Sequence, residues 1–531
     1  MTVAGARPAT ARLVRAGLAR STFLAALLGA APGPLTGQDL PRGASPFLSP
    51  DHWSLAAARR LHALGLAPAG FDPASRTLTL AEAADVVRHA RDAAAASGPG
   101  DSAGRPASAL SPADVEALAE AYLVRLAEEY PRALRSTSVP AEPAPGVGPR
   151  SFLELTADVG YARDRGLLRG GGYTPERVWT GPSRAPDRDG PGAGAALLAG
   201  AGRHLALTAR GIVEDRHREV TELALVGAWR RWGFWAGRRT PGYAPARAGS
   251  LVLDGAVGVE GAGLFLADAV ALPLVGSLRA ESYAGRVEAN GRVERPWLWG
   301  MRLAFSPHPR LDLGVTRVAV FGGVDGAAVD PATVLRVLAS TNLEGDHVDD
   351  QVASMDVRFR PPTALPVEVY GEWALHDIDL GVLVDMPAYT LGAWAPMLPG
   401  LPWAAAGLEW TSVARSCCHN PPWYHHLDLA SGWTEEGVLL AHPLGGHGSE
   451  LRAYLHADPM AARLLASVEG FRRDRREENL FAPDRLGVAH GVSLRLDWRL
   501  ARSADVRGEA ELETGEGWTA SRARAALRWR P

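Results

Sequence analysis

The chain has 531 residues, with 56 basic and 59 acidic side chains, a net charge of -3 and 47% apolar residues. Charge this balanced offers no nucleic-acid surface, and a mean hydropathy near zero is unlike that of a helical membrane protein. The only two cysteines, Cys417 and Cys418, are adjacent, so no disulfide framework holds the fold.

The first element in chain order is a targeting segment. Arg7, Arg12, Arg15 and Arg20 form a basic region and Thr22 to Ala31 an apolar one, and small or turn-forming residues reach Gly37. Residues 1–37 therefore read as a secretory signal peptide, although Leu35 is larger than the residue a signal peptidase prefers three positions before its cut. No later stretch has the roughly 20 uncharged apolar residues of a spanning helix. Gly261 to Gly276 comes nearest, and Asp268 and Pro273 make it strand material. An exported chain of this kind is periplasmic, secreted or an outer-membrane barrel.

Residues 49–131 read as three helices. Ser49 and Pro50 supply an N-cap and first turn before Trp53, Ala57, Leu61 and Leu64 at helical spacing, and Gly65 offers a stop. Thr79 and Glu82 form a capping box for Leu80 to Ala96. Ser111 and Pro112 open a third helix through Val115, Leu118, Tyr122 and Leu126, which Pro131 ends. With Val86 and Val87, these apolar residues suffice for a small shared core. We therefore expect a periplasmic bundle that caps or abuts a barrel mouth without threading into it. Residues 132–149 read as a Pro-rich, extended linker.

From residue 150 to 531 the chain reads as mainly β, a transmembrane antiparallel β-barrel. Val492, Leu494, Leu496, Trp498 and Leu500 share one parity, and Ser493, Arg495, Asp497 and Arg499 the other. Val506, Gly508, Ala510 and Leu512 likewise alternate with Arg507, Glu509, Glu511 and Glu513, and Ala523, Ala525, Leu527 and Trp529 with Arg522, Arg524, Arg528 and Arg530. A period of two means strand, and a heavily charged polar parity suits lipid outside and a wet lumen inside. At a repeat near 20 residues the region accommodates about 18 strands. Trp229, Trp232 and Trp235 around the Arg230-Arg231 turn, with Trp297 and Trp299 farther on, read as an aromatic girdle. A soluble sandwich with buried tryptophans is the alternative.

Chemistry is sparse. No Gly-x-Ser-x-Gly elbow or matching His and Asp order is present, so no catalytic residues, cofactor or enzyme activity are expected. Cys417, Cys418 and His419 with His425 and His426 have ligand chemistry, and His442 and His447 stand nearby, but the spacing fits no established zinc pattern and no metal is expected. The run Arg472, Arg473, Arg475, Arg476, Glu477 and Glu478 reads as a solvated hairpin end. Lumen charges of opposite sign on adjacent strands either pair with one another or make a binding track for acidic sugars. The track residues are Arg495, Arg499, Arg507, Arg522 and Arg524, whose guanidinium groups can grip carboxylates bidentately.

Particular segments resemble the capsule-assembly Wzi family of outer-membrane proteins. They are Trp232 to Asp254, with a Gly-Arg strand end, a Pro-Gly turn and Gly-Ser-Leu-x-Leu; Phe321-Gly322-Gly323; and the His-rich and Gly-rich run from His425 to Leu451. The resemblance covers most of the chain from Ser49. It implies an 18-stranded barrel with a periplasmic helical bundle that attaches or organises capsular or other surface polysaccharide, with outer-membrane lipid and the barrel-assembly machinery as further partners. The chain ends Trp529-Arg530-Pro531 where such barrels finish on an aromatic residue. Trp53 to Ala90 also looks like a degenerate S-layer-homology module, which implies instead a carbohydrate-selective porin. An open lumen favours the porin, and a lumen plugged by its own loops favours the polysaccharide role.

Overall fold

A computed structural model describes residues 44–531 apart from 76, 97–111, 138–150, 166–189, 215–216, 244, 255–257, 274, 288–294, 324–328, 339–348, 364, 377–386, 417–421, 426–432, 436–437 and 483–484. The signal peptide, most of the Pro-rich linker, Cys417, Cys418, His419 and His426 lie outside the described residues.

Strands begin at Phe152–Arg165 and end at Trp518–Trp529, and these two pair antiparallel from Ala157↔Trp529 to Arg165↔Ser521, which closes the sheet on itself. Val259–Leu266 and Val270–Leu272 both pair with the same neighbour, Gly276–Arg286, and make one interrupted strand. The 19 segments of the sheet therefore form a closed barrel of 18 antiparallel strands. Tight turns such as 202–204, 230–231, 309–310 and 502–503 join the strands at one end, and mostly longer connections join them at the other.

The alternation behaves as its period requires. Val492, Leu494 and Trp498 point out, each more than 40% exposed, while Ser493 and Arg499 are buried inside. Trp229, Trp403, Trp498 and Trp529 stand on the outer wall near the tight turns, and Trp373 and Trp410 nearer the long connections. These are the two interface belts of a membrane barrel. Trp235 is a correction. It shares the inward parity of Arg239, is fully buried, and packs on Tyr283 inside the lumen at 6.3 Å. Arg473 and Arg475 are another, because the strand Leu464–Arg475 carries both into the lumen, where they are buried, and only Arg476 of that run's arginines lies beyond the strand.

Preceding the barrel are α1 (Trp53–Ala63), α2 (Leu80–Ala96), α3 (Pro112–Glu129) and the short α4 (Pro131–Thr137). The capping box forms as read, with the Thr79 amide donating to Glu82 at 2.9 Å and the Glu82 amide donating to Thr79 Oγ1 at 3.2 Å. The α1 N-cap is His52, not Ser49, because Ser49 closes a turn by accepting from the His52 amide at 2.8 Å. Residues 132–137, the start of the expected linker, are helical, within α4. Backbone amides at the start of α4 donate to Glu154 of the first strand, so the helix N-terminus is anchored directly on the barrel. Trp53, Leu61, Val87, Leu118, Tyr122 and Leu126 share one core that also takes in Leu198, Met397 and Ala462 of the barrel's tight-turn end.

The helices cap that end, but the connector between α1 and α2 goes farther. Asp72 reaches Arg302 midway along the strand Trp297–His308, at 2.6 and 3.0 Å, and Thr77 accepts from Arg239 at the far end of its strand. Ser75 bridges Tyr243 of a long connection folded in from the opposite mouth. A cap with a threaded segment thus replaces the simple cap. Charge favours the entry: Arg302 has Asp356 on the wall at 2.7 Å and Arg239 has Glu281, and the connector adds the Asp72 carboxylate and the Thr77 hydroxyl to these buried guanidinium groups.

Candidate functional site

The interior of the barrel is where the chain concentrates its polar chemistry, and it is filled from both ends. At the tight-turn end the filling is ionic. The buried Glu129 carboxylate accepts from Trp53 Nε1 at 2.9 Å and from Arg125 Nε at 2.9 Å, and it faces His52 Nε2 at 3.1 Å and Arg530 at 3.6 Å. Burial works to raise its pKa, but Arg530 and Arg125 overcome that cost and hold it well below the usual carboxylate range. Asp51 is held low in the same way, burial being outweighed by Arg507 and Arg528. Burial pushes the His52 imidazole down despite Glu129, which favours its neutral form.

The five arginines expected to form a sugar track do not form one open groove. Arg507 is shared between Asp497 and Asp51, each at 3.0 Å, and Arg499 between Glu128 at 3.1 Å and the carbonyls of Arg125 and Arg502, both at 3.1 Å. These two are therefore committed to the helical unit. Arg495 and Arg524 both sit across from Glu509 on neighbouring strands, and Arg522, itself buried, across from Glu511. The cavity among Arg507, Glu509, Arg524 and Arg528 is about 20 Å³, room for a water and not for a sugar ring. Farther up, Arg473 bridges Glu450 and Glu513, and Arg475 joins the same Glu513 at 2.8 Å. Opposite-sign rows knit the wall together.

At the other end the filling is apolar. The connection 240–258 folds inward, the amides of Arg247 and Ala248 donating to Glu409 at 2.7 and 2.9 Å and that of Leu251 to Glu372 at 3.0 Å. Above it lies the connection 414–447, whose Tyr424 hydroxyl donates to the Leu251 carbonyl at 2.9 Å and whose Trp433 Nε1 donates to the Val252 carbonyl at 3.0 Å. Leu251, Val252, Leu253, Trp423, Leu440, Leu444 and Phe481 complete a core inside the barrel. Midway, Arg247 stacks on Trp394 at 3.3 Å beside the Tyr370 and Tyr454 hydroxyls, which lie 2.8 Å apart over Gly392 and Gly407. A Cβ on either glycine would occupy the space of the tyrosine ring it carries.

Glu372 and Glu409 were not singled out in the sequence. Their inward parity was legible, but their role as anchors for loop amides depends on a loop that folds back. His442 is fully buried and sits 3.4 Å from Thr411, so it is a packed interior residue and not part of an exposed loop. No group of metal-ligating side chains gathers among the described residues.

Comparison with known proteins bears on this architecture. The family model for capsule assembly protein Wzi matches residues 194–525. No curated protein matches the chain. Among solved structures it is similar to Wzi of Escherichia coli, an outer-membrane carbohydrate-binding β-barrel involved in group 1 capsule assembly, at 16% identity over 91% of this chain and 99% of that one, with a TM-score of 0.65. OccD3 (OpdP) of Pseudomonas aeruginosa is similar at 10% identity over 73% of this chain and 92% of that one, with a TM-score of 0.45.

Proposed function

The chain belongs to the capsule-assembly Wzi family, and from that premise we propose that it holds surface polysaccharide at the outer membrane, on the face built by its long connections, and neither conducts solutes nor catalyses a reaction. The helical unit then lies in the periplasm. The observation that supports this reading is the lumen, closed by an ionic network at one end and a hydrophobic core at the other. An outward-facing polymer cannot reach the lumen arginines past the inward-folded connections 240–258 and 414–447, so we assign its contact to the outer face. Arg415 and Arg476 are exposed there, beside Glu478 at 3.0 Å and Asp474 at 3.2 Å respectively, and such guanidinium groups suit the carboxylates of acidic sugars.

Deleting the gene tests the reading. Polymer synthesis should continue while polymer sheds into the medium, and purified protein should be silent in planar bilayers. Steady ion conduction together with unchanged polymer retention would move the assignment to a porin.

A further inference from the structure

One surface of the barrel breaks the rule that outward residues meet lipid directly. On the outer wall near the long connections, Trp299 and Phe321 have outward parity yet are almost fully buried. Their cover is an amphipathic helix, α5 (Pro331–Leu338), which lies against the outside of the wall with Val337 buried on Trp299 and Phe321. The fit is incomplete. Between helix and wall is a cavity of about 450 Å³, lined chiefly by Trp297, Trp299, Phe321, Val334 and Val337, with Arg286 at its edge. Its volume is that of a small-molecule site and its walls are apolar.

Arg286 gives the cavity a charged end. Its guanidinium lies over the Trp297 ring at 3.8 Å and donates to the Arg295 carbonyl, and Arg295 is itself exposed close by. Among the described residues no carboxylate pairs with Arg286, whereas Arg295 has Glu260 at 3.4 Å. An apolar pocket on a lipid-facing wall, at the tryptophan belt, with a cation at its rim, matches an acyl chain carrying a phosphate headgroup. We propose that this cavity binds an anionic membrane lipid, one acyl chain between α5 and the wall and the headgroup phosphate on Arg286. The proposal rests on the membrane-spanning barrel and is independent of the polysaccharide role.

The test reconstitutes the full chain in phosphatidylcholine nanodiscs containing a trace of phosphatidylglycerol with a photoactivatable group on its acyl chain, or the same quantity of equally labelled phosphatidylcholine. After irradiation, labelled peptides are mapped by mass spectrometry. The anionic probe should label the peptides around Trp299 and Val334 about fivefold more than the bare wall at Val492–Leu500, an excess worth about 1 kcal/mol, and the zwitterionic probe should not. Ala284→Phe, which fills the pocket, should abolish the excess, and Arg286→Gln should remove the preference for the anionic probe. Both variants are compared as heat-modifiable, folded barrels, and the wild-type contrast between probes stands without them. Equal labelling of pocket and bare wall, an excess surviving Ala284→Phe, or a crosslink to a second copy of the chain in place of lipid would overturn the proposal.

Discussion

Asp51 and Arg507, 456 positions apart in the chain, meet at 3.0 Å where the helical unit enters the barrel. Arg507 also holds Asp497 at 3.0 Å, so one guanidinium ties a wall strand to the cap. Both carboxylates lose a buried partner if the arginine goes.

Arg507→Ala should therefore loosen the cap by about 3 to 5 kcal/mol, the range for breaking a buried pair by removing one member. Thermal unfolding of the purified protein, read beside protease cleavage within residues 44–137, checks this. Asp51→Asn should cost less, because Arg507 keeps Asp497. An Arg507→Ala protein as stable and as protease-resistant as wild type would show that the cap is held by its apolar contacts alone.

The assignment of faces can be tested on one strand. Leu494→Arg places a charge on the lipid side and should cost about 2 to 4 kcal/mol near the membrane midplane. Ser493→Ala, one residue away and inward, should be nearly neutral. Urea titration of barrels folded into vesicles reports both, and equal tolerance would reverse the faces.

Silence in planar bilayers should depend on the inward loop. Replacing residues 245–254 by a short Gly-Ser linker removes the amide anchors on Glu372 and Glu409 and the floor under Trp433. Discrete conductance steps should then appear. Continued silence would mean that the ionic end alone seals the lumen.

Acid should weaken the packing of the long connections through His425. Burial pushes this imidazole down to about 4, with Asp350 opposing, and its ring packs 4.7 Å from Phe481. The folded value lies below the ordinary value near 6.5, so between those limits the unfolded chain binds more protons and stability falls as pH drops. The loss is bounded at about 3 kcal/mol by pH 4 and absent above pH 7. Melting temperatures across that range should slope for wild type and flatten for His425→Gln. Parallel slopes would exclude this histidine as their source.

Much of the barrel was legible because a period of two is written locally. Leu494 and Arg495 declare their faces with no knowledge of any other strand, and closure follows once every strand has one apolar face. What stayed hidden depended on distance. Arg499 and Arg507 read as paired within the wall or as part of a polymer track until Glu128 and Asp51 arrive beside them from a distant part of the chain. Trp235 looked like a girdle residue beside Trp232, though the two differ in parity, and Arg473 looked solvated because a charge run at a hairpin usually is. Nothing local in the connector 71–79 announces its entry into the barrel, where Asp72 joins Asp356 on Arg302 and Thr77 joins Glu281 on Arg239.

The pairing of the first strand with the last has a consequence for the order of events during biogenesis. The seam cannot zip until residues 518–529 have been delivered, and by then the carboxylates at 51, 128 and 129 have long been waiting near the other terminus. Until they dock, Arg499 lacks Glu128, and Arg507 and Arg530 have only Asp497 and Asp505 on the wall, so that end of the barrel stays open to water. Sealing of that end thus comes late in maturation, and segments remote in the polypeptide perform it together.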